Sequence, residues 1–134
     1  MKRTVVGDVT LNEEEPGIVT IDYGTAIATV ELVQDVVERS RDDWGDGRIA
    51  VLVKANSATD LAKIGSVLSA HDLADFTIAS AIITPGKLTQ LIGNLFMQFQ
   101  KSPFPQHQFV DVEEAKSWLR HQIAMDDVRS RAAR

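Results

Sequence analysis

The sequence predicts an α/β protein: one mixed β-sheet carrying helices, with about five strands and four helices in a single domain. Three observations lead there. Ile49-Ala50-Val51-Leu52-Val53 and the stretch from Phe76 to Thr84 are short apolar runs of the kind found in strands covered on both faces. Around them, apolar residues recur at helical spacing. The chain opens instead with β-branched, alternating residues interrupted by Pro16-Gly17, the pattern of an antiparallel hairpin at a sheet edge.

In order, Val5 to Leu11 is the first expected strand, Glu13-Glu14-Glu15-Pro16-Gly17 a solvated turn, and Ile18 to Ile21 the second strand. Thr29 caps a helix over about 29–43, with Glu31 in its first turn and Val30, Val33, Val36 and Val37 inward, before the turn Gly45-Asp46-Gly47. The run at 49–53 is the central strand. Asn56, Ser57 or Thr59 caps a second helix, with Leu61, Ile64 and Leu68 inward, ending near His71. After the strand at 76–84, Pro85 starts a third helix whose apolar face holds Leu88, Leu91, Ile92, Leu95, Phe96 and Phe99. Ser102-Pro103-Phe104-Pro105 forces extended chain before a short strand, Gln108-Phe109-Val110. Asp111 with Glu114 resembles a capping box and opens a last helix with Val112, Ala115, Trp118, Leu119 and Ile123 inward.

A chain of 134 residues, 44% of them hydrophobic, can build one core without staples. Residues 1–125 form the expected domain, and 126–134, with Arg129, Arg131 and Arg134, a basic tail that frays. Zero cysteines exclude disulfides, thiol catalysis and thiolate metal sites, and fit a cytoplasmic address. No apolar run approaches the roughly 20 residues that span a bilayer, and the opening turns acidic where a signal peptide needs an apolar stretch. A net charge of −5 argues against nucleic acid as a partner.

No nucleophile elbow, phosphate loop or paired-histidine motif occurs, so neither an enzyme, a metal nor a cofactor is expected. His71, Asp72 and Asp75 gather three polar groups but only one imidazole, while His107 and His121 lack an evident catalytic mate. Four of the five phenylalanines, Phe96, Phe99, Phe104 and Phe109, cluster with Met97 near the Pro-rich turn. Where the helix over 84–100 leaves part of the sheet uncovered, Asn94, Met97, Phe99 and Phe104 line a groove for an apolar ligand or a second subunit.

Glu15-Pro16-Gly17-Ile18-Val19, Thr29-Val30-Glu31, Val51-Leu52-Val53, and above all Leu91-Ile92-Gly93-Asn94-Leu95-Phe96 followed by Pro103-Phe104-Pro105, Phe109, Glu114-Ala115 and Trp118-Leu119 carry a resemblance. From about Glu13 to Ile123 the chain resembles small bacterial STAS/Sec14-like proteins of the SpoIIAA-like fold. The resemblance implies a mixed sheet and a non-enzymatic regulatory module, either a homodimer or one that binds a regulatory protein partner. The Sec14-like side of it implies an alternative, a carrier of a small apolar ligand. In the anti-sigma-factor antagonists of this fold a serine after the central strand is phosphorylated, which points to Ser57 as a switch. This chain reads Asn56-Ser57-Ala58-Thr59, where those antagonists have Asp-Ser with Gly close behind. A plain helix cap is the competing role of Ser57.

Overall fold

A computed structural model describes residues 3–26, 29–44, 47–54, 76–83 and 104–132. They form an α/β fold with a six-stranded mixed sheet in sequential order. The strands are β1 (Arg3–Val6), β2 (Val9–Glu15), β3 (Ile18–Asp22), β4 (Ile49–Lys54), β5 (Thr77–Ile83) and β6 (Gln106–Phe109). The described helices are α1 (Val30–Trp44) and α2 (Val112–Ala132). The expected second and third helices fall on 55–75 and 84–103, outside the described residues.

Six strands replace the expected five because Val5 to Leu11 is not one strand. Gly7-Asp8 turns the chain between Val6 and Val9, which pair directly, and Gly7 has φ +57°. A two-residue hairpin loop needs a positive φ at its first position, which glycine adopts without strain. The second turn is Pro16-Gly17, with Gly17 at φ +85°, the residue pattern of a type II turn. From β3 onward the pairing is parallel, β3 to β4 to β5 to β6.

Glu13-Glu14-Glu15 is strand, not turn, and the register shifts by one residue between Glu13 and Glu15. The last strand also moves, from the expected 108–110 to Gln106–Phe109. Pro105 sets that start, because its carbonyl accepts the Ser80 amide at 2.9 Å and brings the chain onto β5 before Gln106.

Each face of the sheet carries one described helix. On one side Val33, Val36, Val37 and Trp44 of α1 pack on Val9, Leu11, Val19, Ile21 and Val51. Thr29 caps α1, its hydroxyl accepting the Leu32 amide at 3.1 Å. On the other side α2 sets Ala115 and Leu119 on Ile18, Leu52 and a floor of small residues, Ala50, Ala79 and Ala81. Asp111 caps α2 through the Glu113 amide, 2.9 Å away. The helix continues as a helix through the basic residue Arg129 to Ala132. No helix among the described residues is long and apolar enough to cross a membrane.

Candidate functional site

The packing between α1 and the sheet leaves a cavity of about 70 Å³. Ile21, Tyr23, Val51, Val53, Thr77 and Ser80 form its sheet side, Val33, Val36, Val37 and Ser40 its helix side, and Phe76 and Phe104 contribute aromatic walls. Tyr23 is placed by the turn that ends β3: Gly24, at φ +55°, donates its amide to Asp22 Oδ1 at 2.8 Å, and Ala26 donates to the Tyr23 carbonyl at 2.9 Å. Burial pushes the Tyr23 phenol up to about 12, so it stays protonated through the physiological range. Ser40 donates its hydroxyl to the Val36 carbonyl at 2.8 Å, which occupies that hydrogen within its own helix.

Phe104, expected in a groove beside the helix over 84–100, packs against the apolar cluster on the α1 side of the sheet. Its expected companions Asn94, Met97 and Phe99 lie outside the described residues, as do Ser57, His71, Asp72 and Asp75. His107 is exposed on β6 and meets rings rather than an acid or base, with Phe109 at 4.7 Å and Trp118 at 5.9 Å between centroids. His121 is exposed on α2. Among the described residues no group of three or more His, Asp or Glu side chains could hold a metal ion.

The three glutamates, read as a solvated turn, instead tie the N-terminal strands to both helices. Glu13 accepts Trp44 Nε1 at 3.2 Å and the Gly17 amide at 3.3 Å. Glu14 pairs with Lys116 at 3.0 Å, and Glu15 takes both arms of Arg120 at 2.9 and 3.0 Å. In a regular strand Glu13 and Glu15 would share a face. The register shift breaks that alternation, so Glu13 reaches α1 while Glu14 and Glu15 both reach α2. Arg120, hydrogen-bonded to Glu15, holds that carboxyl below the ordinary value, and the hydrogen bond from Lys116 to Glu14 raises the lysine.

The sheet edge expected on a single strand over Val5 to Leu11 lies one strand further out, on β1, one of the two sheet edges among the described strands. Val5 stands there 61% exposed. The signal was present in Gly7-Asp8, which makes β1 a separate strand and moves the edge outward.

No curated protein and no solved structure matches the sequence. A family match spans residues 13–123, from the displaced register of β2 to Ile123 on the sheet-facing side of α2. The chain thus belongs to the family described as a domain of unknown function, DUF7793.

Proposed function

We propose that the chain is a non-catalytic protein-interaction module of STAS-like type, acting in the bacterial cytoplasm, with the open edge of β1 as its docking place. The observation that carries this reading is an edge strand with backbone groups directed outward and an exposed valine. An uncovered edge of this kind is a template for another strand unless a protein blocks it. β1 has no proline and only Arg3 as a charged residue. Affinity purification from the host with wild type and Val5→Pro tests it. Proteins retained by the wild type and lost from a variant of unchanged circular dichroism support the reading; retention indifferent to the substitution overturns it.

A second reading, a carrier of a small apolar ligand, draws on the cavity beneath α1. Its size weighs against it. At about 70 Å³ the cavity is under half of the roughly 150 Å³ that holds benzene in an apolar protein interior. A ligand larger than a few carbons would have to displace Phe104. Native mass spectrometry of the purified protein decides: a co-purified apolar molecule lost from Phe104→Trp favours the carrier, and bare protein removes it.

A further inference from the structure

We infer that the β1 edge accepts an extended basic segment of a partner protein, added as a seventh strand whose alternate Lys or Arg side chains lie under the acidic flank of α1. The inference rests on the interaction-module reading and names the chemistry of its occupant. Between β1 and α1 runs an open groove of about 300 Å³, lined by Val5, Val6, Asp35, Glu38, Arg39 and Asp42. Asp35, Glu38 and Asp42 are spaced so that they share one side of the helix. Among the described residues they make neither ion pairs nor hydrogen bonds, whereas the one cation of the groove, Arg39, is paired with Asp43 at 3.4 Å. The groove therefore presents three uncompensated carboxylates beside a strand edge.

Backbone geometry sets which β1 groups face the groove. Val6 and Val9 close a two-residue hairpin, so they exchange the hydrogen bonds of that pair. Alternation then turns the amide and carbonyl of Val5, and of Arg3, away from β2. Thr4, whose hydroxyl donates to Asp43, and Val6 point toward α1, while Val5 points to the other face. A strand added at this edge has the same alternation. Its residues on the α1 side meet Asp35, Glu38 and Asp42, which suits Lys or Arg; those on the opposite side lie beside Val5, which suits apolar residues. The net charge of −5 adds long-range attraction for such a segment. Strand addition supplies main-chain hydrogen bonds for affinity, and the side-chain alternation supplies selectivity.

The test uses the full chain and a fluorescent peptide of alternating Lys and Val, with two controls: a peptide of the same composition in separate Lys and Val blocks, and one of alternating Glu and Val. Anisotropy should show saturable binding of the Lys-Val peptide alone, with amide shifts in the NMR spectrum concentrated at residues 3–6 and 35–42. The triple charge reversal Asp35→Lys, Glu38→Lys, Asp42→Lys lies on the surface and should weaken binding by about tenfold or more. Val5→Pro removes an outward amide without touching the β1–β2 ladder, and should abolish binding. Equal binding of the block or acidic peptide overturns the inference, as do shifts concentrated away from both β1 and the groove face of α1. If Val5→Pro abolishes capture of a host protein while the charge reversal leaves it intact, the edge stands as the docking place and the basic occupant is wrong. Host capture untouched by either variant removes the edge altogether.

Discussion

Glu13, Glu14 and Glu15 are adjacent in the chain, yet each has a different partner, and the bidentate Arg120–Glu15 pair bridges 105 residues of sequence. Because Glu15 is held below its ordinary 4.5, its contribution to stability is present above that value and is lost as pH falls through the lowered one. Glu15→Gln should therefore lower the melting temperature slightly at neutral pH. The difference from wild type should shrink in high salt, because the pair is exposed, and vanish in acid. Tyr23 works in the opposite range. Its raised value favours the protonated phenol in the fold, so stability is intact below about 10 and declines as pH rises toward about 12, by about 3 kcal/mol in all. The chain has one tyrosine, so phenolate absorbance during an alkaline titration reports Tyr23 directly, and should appear together with unfolding. Thr20 faces the α2 side of the sheet with its hydroxyl buried and without a hydrogen-bond partner among the described residues. Thr20→Val keeps the shape and removes the unsatisfied group, and should raise stability by about 1 kcal/mol in urea unfolding.

At the scale of elements, caps and turns govern where strands and helices begin. Thr29 and Asp111 start their helices where a reading of the sequence put them, because a cap needs only a side chain and an amide two or three residues away. The apolar runs at 49–54 and 77–83 became adjacent parallel strands for a similar reason: a continuous greasy stretch fits one place in an α/β fold, between two covered faces. The first strand was misjudged because Gly7 lies inside a β-branched run whose composition alone favours continuation. Gly17 combines its φ of +85° with a position facing Ile123, whose Cδ1 would lie 3.6 Å from an added Cβ. The space is adequate, so Gly17→Ala should cost mainly the left-handed backbone, about 1–2 kcal/mol, seen as a shift in the urea midpoint with unchanged slope.

For the molecule as a whole, α2 is longer than the sheet it covers. Its 21 residues extend about 31 Å, against roughly 23 Å for the seven residues of β5, so its last turns project past the strands, with Met125 and Val128 exposed. Asp126 ties the projecting part to Arg48 through two hydrogen bonds, at 2.8 and 3.2 Å. Ending the chain after Ala124 should therefore leave the fold in place and cost about 1 kcal/mol in thermal or urea unfolding, since the lost pair is only partly buried. The sequence by itself determined the α/β class, the parallel core strands and both helix caps, all of which follow from periodicity and from contacts a few residues apart. Only the tertiary structure decided that the three glutamates bind two helices, that the edge strand is β1, and that three acids of α1 flank it. Those outcomes depend on which distant elements become neighbours, and residue types within a short window carry no record of that.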